Sequence, residues 1–278
     1  MMKKIERAAY FLKENMQLFR CPICKSDFKQ VKNNQIICLN NHSFNISKKG
    51  TVHFFNNTST DQYNKDLFES RKKIADSGFW DPILEEVISH MPKGSGSILD
   101  VGCGNGSNLK MIHKSLPESV CIGFDISKQG IDMAAKYYWN IFWCVADLAD
   151  TPFSDQSFDI ILNIFTPSNY QEFSRIIKSN GTVMKVVPNP GYLQEIRVLK
   201  DDKHNYSNEN VIQNFKEHFN EVKIQDISYT KEIPKHLIYD LFEMTPLGWQ
   251  IDEKKKAQYI NDGDQFKVTI DVTLLIGK

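Results

Sequence analysis

The chain has 278 residues, 41% of them hydrophobic and 24% charged, which excludes a disordered or low-complexity protein and allows one large core plus a small module. No apolar run approaches the roughly 18 residues of a membrane span, and the charged start MMKKIERAAYFLKENMQLFR is not that of a signal peptide. The net charge of zero hides a split, because residues 1–58 carry +7 and the rest of the chain −7.

A basic front on an acidic body suggests a module that meets a polyanion. The plainer reading scatters the same lysines over a small solvated surface. With no export signal, a cytoplasmic location is expected. There, clustered cysteines point to a metal rather than to disulfides.

In chain order, Ile5, Ala8, Ala9, Phe11, Leu12, Met16 and Phe19 recur at helical spacing and predict an amphipathic helix over 3–19. Cys21, Cys24, Cys38 and His42 follow as C-x2-C-x13-C-x3-H. Two donors from each of two turns converge on one tetrahedral ion, and three thiolates with an imidazole favour zinc. Four protein donors leave no open position, so the metal is structural. It supplies much of the folding free energy of a module with little core of its own. His53 reads as a surface or core histidine rather than a fifth ligand.

Around the four ligands, QIIC, HSFNIS and GTVHFF read as short strands. Residues 56–66, NNTSTDQYNKD, are polar and aperiodic and read as a linker. Helical patterning resumes over 66–91 and closes at Pro92 and KGSGS. This divides the chain into an N-terminal helix and zinc-binding domain (1–58), a linker and helical segment (59–92), and a third domain (93–278).

From Ile98 the pattern alternates. SILDVG, CIGFDI, IFWCVAD, FDIILNIF and GTVMKVV are strands, with helices over 106–115, 127–138 and 168–178 between them. Alternation of this kind predicts a parallel sheet covered by helices on both faces. FNEVKIQDISYT and QFKVTIDVTLLIG then add an antiparallel pair at the sheet's edge.

The first of these strands runs into Gly102-Cys103-Gly104-Asn105-Gly106 and then a helix. Glycines there let backbone amides approach a ligand. A nicotinamide dinucleotide site needs a third glycine where this chain has Ser107, and the Gly-Lys-Ser/Thr end of a Walker loop is absent. Asp100 precedes the first glycine, and Asp125 ends the next strand, where a carboxylate can take ribose hydroxyls.

LDVGCGNG, GFDIS and VADLADTPFSDQSFDII together resemble the successive motifs of the seven-stranded S-adenosylmethionine-dependent methyltransferases. The resemblance implies an α/β fold, a Rossmann-like methyltransferase domain behind a small β-rich zinc domain. It implies that Asp100, Gly102, Gly104, Asn105 and Gly106 back the methionine part of the cofactor. Asp125 and Ile126 then lie at the ribose, and Asp147 and Leu148 beside the adenine. A helix cap or turn residue is the structural alternative for Asp147. The four-ligand module, FNISKKGTVHFF, these motifs and LFEMTPLGW together closely resemble the RlmA family of 23S ribosomal RNA guanine-N1 methyltransferases, over about residues 20–278. That resemblance carries the zinc ligands onto Cys21, Cys24, Cys38 and His42, and cofactor contacts onto Trp80 and Tyr192. It implies a ribosomal RNA hairpin as partner and favours a homodimer.

For the chemistry, Asn163 in NIFTP ends the fourth strand, where this fold places its acceptor-facing loop. Its amide orients an acceptor base and also contacts the cofactor, or else it only ties down the loop with Thr166, Pro167 and Ser168. Spacing selects no general base. Among the aromatics, Tyr192 and Trp249 beside Gly and Pro are expected exposed, and MTPLGW is a lid or a packed corner. Cys103, Cys121 and Cys144 read as buried apolar residues, not nucleophiles. The alternatives to an RNA enzyme are a small-molecule methyltransferase with an accessory zinc module, and a non-catalytic RNA adaptor, against which the intact glycine loop argues.

Overall fold

The computed structural model describes residues 2–55, 65–92, 94, 96–200, 206–262 and 265–278. Most of the expected linker 56–66 and part of KGSGS lie outside the described residues. The chain forms two compact units, Met1–Gln62 with His90–Met184 and Lys278, and Tyr63–Ser89 with Lys185–Gly277.

The first unit opens with α1 (Lys4–Glu14), which buries Ala8 and Leu12. The predicted helix over 3–19 stops early. The Asn15 side-chain amide donates to the Phe11 carbonyl at 2.9 Å, and a short 3-10 turn, Met16–Leu18, takes the place of the last α turn. The strands β1 (Phe28–Lys32), β2 (Gln35–Cys38) and β3 (Ser43–Asn45) make a three-stranded antiparallel sheet. Asn33 and Asn34, both left-handed at φ 51° and 57°, form the two-residue hairpin turn between β1 and β2.

β4 (Thr51–His53) leaves that sheet. The next helices, α2 (Lys65–Asp76) and α3 (Asp81–Ser89), belong to the second unit. The helical patterning expected over 66–91 is realised as these two helices, parted near Gly78 at φ 73°.

The first unit resumes with β5 (Ser97–Val101), α4 (Ser107–Ser115), β6 (Val120–Asp125), α5 (Lys128–Tyr137), β7 (Phe142–Val145), β8 (Phe158–Ile164), α6 (Tyr170–Ile176) and β9 (Ile177–Pro188). β8, β5, β6 and β7 are adjacent and parallel in that order. β5 is buried at every residue, as a strand covered on both faces must be.

The second unit takes the end of β9, then α7 (Gln194–Leu199), α8 (Glu209–His218), β10 (Val222–Pro234), α9 (Lys235–Glu243), α10 (Pro246–Trp249), α11 (Glu253–Asp262) and β11 (Gln265–Gly277). β10 and β11 pair antiparallel from Val222↔Gly277 to Pro234↔Gln265, as expected. MTPLGW is a packed corner. A Cβ on Gly248 would lie 1.9 Å from the Phe242 carbonyl oxygen, and Trp249 Nε1 donates to the Glu243 carbonyl at 2.8 Å.

The seven strands of a methyltransferase sheet are β5–β11, and β4 is an eighth. It pairs parallel with β7, Val52 opposite Cys144 and His53 opposite Val145. The front residues thereby group with 90–184 in the first unit. The physical reason is a shared aromatic core. Phe19, 1% exposed, packs at 6.0 Å on Phe54, 5.6 Å on Phe142 and 5.6 Å on Phe153. Phe54 in turn meets Phe28 and Phe44 within the zinc module.

The charge split acquires a second meaning in this arrangement. Lys25 pairs with Asp150, Arg20 with Asp155 at 3.3 Å and Lys49 with Asp132 at 2.7 Å. Lys4 Nζ donates to the carbonyls of Ala135 and Lys136 at the end of α5. These front cations face the acidic body of the same unit. Lys13, Lys32 and Lys48 are exposed, as is Lys29, whose Nζ donates to Asn41 Oδ1 at 2.7 Å.

Candidate active site and metal centre

Two turns build the metal centre. The first bonds Cys21 N–H to the Ser26 carbonyl at 2.9 Å and Lys25 N–H to the Cys21 carbonyl at 2.8 Å. The second bonds Cys38 N–H to the His42 carbonyl at 2.9 Å and Asn41 N–H to the Cys38 carbonyl at 3.0 Å. Lys25 at φ 61° and Asn41 at φ 67° are left-handed, which lets each turn close tightly. The four ligand atoms of Cys21, Cys24, Cys38 and His42 lie within 4.8 Å of one another.

The donor geometry fits zinc. A tetrahedral ion with ordinary Zn–S and Zn–N bonds separates two sulfurs by about 3.8 Å and a sulfur from a nitrogen by about 3.6 Å. Cys24 and Cys38 sulfurs are 3.8 Å apart. The His42 Nδ1 lies 3.6, 3.3 and 3.5 Å from the sulfurs of Cys21, Cys24 and Cys38. Nδ1 is therefore the ligand atom. Burial pushes the Cys21 thiol up to about 11, while hydrogen bonds from Ser26 draw Cys24 down to about 5. Loading an ion thus has to displace the Cys21 proton. His53 stands apart on β4, its pKa lowered by burial, and is not in the cluster.

The glycine loop joins β5 to α4. Gly102, Gly104 and Gly106 all have positive φ, 65°, 54° and 76°. Two of these glycines also answer to packing. A Cβ on Gly102 would meet the Thr166 methyl at 2.6 Å, and one on Gly106 would meet the Trp143 ring at 2.5 Å. Trp143 lies under the loop, its Nε1 donating to the Tyr138 carbonyl at 2.7 Å. It also requires Gly123 on β6, whose Cβ would fall 2.2 Å from the indole. Nothing in the spacing of the motifs singles out Trp143 as the floor of this loop; only the pairing of β6 with β7 does.

Asp125 locks the loop from the next strand. Its Oδ2 accepts from Gly104 N–H at 2.8 Å and its Oδ1 from Ser127 N–H at 2.8 Å. Asp100 is buried, and its Oδ2 has no hydrogen-bond partner among the described residues. Burial, and then the Asp125 charge, push its pKa up to about 8. An orphaned buried carboxyl beside a turn of bare backbone fits a ligand with a cationic group, such as the amine of a methionine moiety. Ile126 is 42% exposed beside Asp125, an apolar face at the mouth of the loop. Asp147 closes its own turn, accepting from Ala149 N–H at 2.9 Å, and the Leu148 carbonyl accepts from Asn169 at 3.1 Å. Asn105 is buried, with Oδ1 accepting from Ser107 N–H at 3.2 Å.

Asn163 is engaged within its own loop. Nδ2 donates to Thr166 Oγ1 at 2.5 Å and to the Pro167 carbonyl at 2.8 Å, and Oδ1 accepts from Ser168 Oγ at 3.0 Å. Thr166 in turn donates to the Val101 carbonyl at 3.0 Å. In this structure Asn163 ties down its own loop, one of the two readings its amide allows. It holds NIFTP against β5, with Phe165 left-handed at φ 57°.

Trp80 and Tyr192 belong to the second unit. There both are half-buried, and burial pushes the Tyr192 phenol up to about 12, the Trp80 indole opposing. Trp249 is exposed, as expected, but Tyr192 is not. Burial raises the thiol pKa values of Cys103, Cys121 and Cys144, as expected of apolar filling rather than nucleophiles.

Comparison with known proteins finds a family match for each of the two stretches that carry these residues. Residues 98–185 match the methyltransferase domain family, and residues 19–55 match the family described as RlmA, N-terminal. The chain is 35% identical to the Bacillus subtilis protein named "Putative 23S rRNA (guanine-N(1)-)-methyltransferase YxjB", over 95% of this chain and 98% of that one. It is 24% identical to the 23S rRNA (guanine(748)-N(1))-methyltransferase of Streptomyces fradiae, over 95% and 98%. In fold it is similar to a Haemonchus contortus phosphoethanolamine N-methyltransferase, with a TM-score of 0.53 at 13% identity, covering 80% of this chain and 61% of that one.

Proposed function

Since the chain belongs to the RlmA-type 23S rRNA (guanine-N(1)-)-methyltransferase family, we propose that it transfers a methyl group from S-adenosylmethionine to N1 of a guanine in a 23S ribosomal RNA hairpin. The observation that carries this reading is the pairing, in one compact unit, of a zinc-type Cys3His cluster with a glycine loop flanked by an orphaned Asp100.

S-adenosylmethionine supplies an electrophilic methyl on sulfur. The chain's own residues bind and orient it. Gly102, Gly104, Asn105 and Gly106 offer backbone to the methionine part, Asp100 receives its ammonium, Asp125 and Ile126 meet the ribose, and Asp147 and Leu148 meet the adenine. Asp125 fits its role because each carboxylate oxygen already holding a backbone amide keeps a second lone pair for a ribose hydroxyl. Asn163 and Thr166 set the position of the NIFTP loop that faces the acceptor. Trp80 and Tyr192 are cofactor contacts by family resemblance. Guanine N1 carries a proton at neutral pH, so the reaction also needs a group that takes it.

Cys21, Cys24, Cys38 and His42 hold a structural zinc, whose work is to fix the fold of the front module. The solvent-facing Lys29 and Lys32 on β1, with Lys13 and Lys48, supply the charge that attracts RNA phosphate. The same reading puts the protein in the cytoplasm, as a homodimer whose two zinc modules hold one hairpin. Among the described residues no helix is long and apolar enough to cross a membrane.

The test is mass spectrometry of 23S rRNA from cells with and without the gene, followed by restoration with purified protein and S-adenosylmethionine. One N1-methylguanosine should disappear and return. An unchanged nucleoside profile refutes the reading.

A further inference from the structure

The described surface holds a groove of 280 Å³ whose walls come from two sources. Pro22, Ile23 and Phe55 belong to the zinc module, and Ala146, Asp147 and Asp150 to the turn after β7. Its size suits one ring system rather than a whole cofactor, since sites for drug-sized ligands run from about 300 to 1,000 Å³. The wall is firmly placed. Phe54 N–H donates to the Val145 carbonyl at 2.9 Å, Arg20 N–H donates to the Pro152 carbonyl at 3.0 Å, and Lys25 pairs with Asp150. Ile23, at the tip of the first metal-binding turn, is nonetheless 60% exposed.

The lining selects its guest. Apolar and aromatic side chains accept a flat ring. The Asp147 carboxylate, with Oδ1 engaged by Ala149 N–H, has a second oxygen for an exocyclic amine. With Lys25 paired to Asp150, Asp147 leaves the groove one net negative charge, which disfavours a nucleic-acid backbone as the guest. The turn that carries Asp147 is anchored to the end of the strand that carries Asp125, because Ala146 N–H donates to the Asp125 carbonyl at 3.2 Å.

Building on the cofactor reading above, we infer that the zinc module closes the adenine end of the cofactor cleft, with Ile23 and Phe55 as apolar wall opposite Asp147. The metal then does more than prepare a surface for RNA. By holding the turn that carries Ile23, it sets part of the cofactor's affinity.

The experiment is calorimetric binding of S-adenosylhomocysteine to the full chain without RNA, for the unaltered protein, Ile23→Ala and Phe55→Ala, with zinc content and Tm measured on each. Ile23 is exposed, so its truncation leaves the fold intact. Each substitution is expected to weaken binding roughly three- to tenfold through lost apolar contact, with one zinc per chain retained. Dissociation constants within twofold of the unaltered protein overturn the inference. So does unchanged cofactor binding with weakened rRNA binding, which gives the groove to the acceptor strand instead. If the unaltered protein binds no S-adenosylhomocysteine, the methyltransferase reading falls with it, an outcome distinct from failure of the variants alone.

Discussion

The zinc module and the glycine loop hold their ligands by opposite means. The module presents three sulfurs and one nitrogen, side-chain atoms whose 3.3–3.8 Å spacings already match a tetrahedral ion. The loop presents backbone, made reachable by three glycines with positive φ, with the carboxyls of Asp100 and Asp125 beside it. Side-chain ligation stabilises a fold with almost no core of its own, because the metal's binding energy is folding energy. Backbone ligation needs a rigid floor, and here the floor is Trp143 wedged under Gly106 and against Gly123. Loss of one donor therefore dissolves the first region, whereas the second fails when a methyl is added.

The largest effect should separate the two. Cys21→Ser removes a buried zinc ligand and should remove folding free energy on the order of 10 kcal/mol from the front module. Zinc content should fall from one per chain to none, and amide exchange at Phe54, bonded to Val145 across the β4–β7 edge, should accelerate. Retention of one zinc per chain would show the ligand set to be wrong.

Gly104→Val is the complementary break. A branched side chain at φ 54° is strained and fills the space a ligand needs. Cofactor affinity should drop by about a hundredfold or more, roughly 3 kcal/mol, with zinc content unchanged. Equal affinity by calorimetry would refute the loop as the site.

A smaller effect reads the electrostatics of the second region. The Asp100 carboxyl, raised to about 8 by burial and by Asp125, is mostly protonated at pH 7 in the ligand-free protein. A cationic ligand binds the anion, so binding expels a proton. Affinity for S-adenosylhomocysteine should then rise by about tenfold per pH unit up to pH 8 and level off above it. By the same linkage, this group's contribution to stability is full below its unfolded pKa and is lost as pH rises through 8. Asp100→Asn should flatten the binding profile. A profile unchanged by that substitution would show that the carboxyl does not meet the cation.

The smallest effect concerns the seam between the regions. Lys25 and Asp150 are about half exposed, so Lys25→Ala should cost no more than about 0.5 kcal/mol in urea denaturation. A loss above 2 kcal/mol would mean that the seam is held by charge rather than by the Phe19 cluster.

Much of both sites was legible because it is local. The C-x2-C and C-x3-H spacings describe tight turns, and the glycine triplet after an apolar strand describes a backbone cradle; neither needs knowledge of distant partners. The five central strands were legible for a similar reason, since strands buried on both faces read as continuous apolar runs. Asn163 was not legible. An amide serves a substrate or its own loop with the same atoms, and only the positions of Thr166, Pro167 and Ser168 reveal that its hydrogens are engaged. The helices over 194–262 were also hidden. Many are short, and they carry charged residues in nearly every turn, so their periodicity is weak.

The amino-acid order was sufficient for the chemical inventory: a zinc-type donor set, a cofactor loop, two flanking carboxylates and the alternation of strands and helices that carries them. Folding in three dimensions settled which parts belong together. The three-residue strand β4 is too short to announce a partner, and it joins Val145 and Cys144 some ninety positions away because Phe19 and Phe54 bury against the same aromatic core as Phe142 and Phe153. That burial places β4 of the basic front segment at the edge of the sheet. It sets Arg20, Lys25 and Lys49 against the acidic body and brings the Ile23 turn to the mouth of a groove beside Asp147. Long-range apolar burial is a property of pairs of distant residues, and no spacing within either segment encodes it.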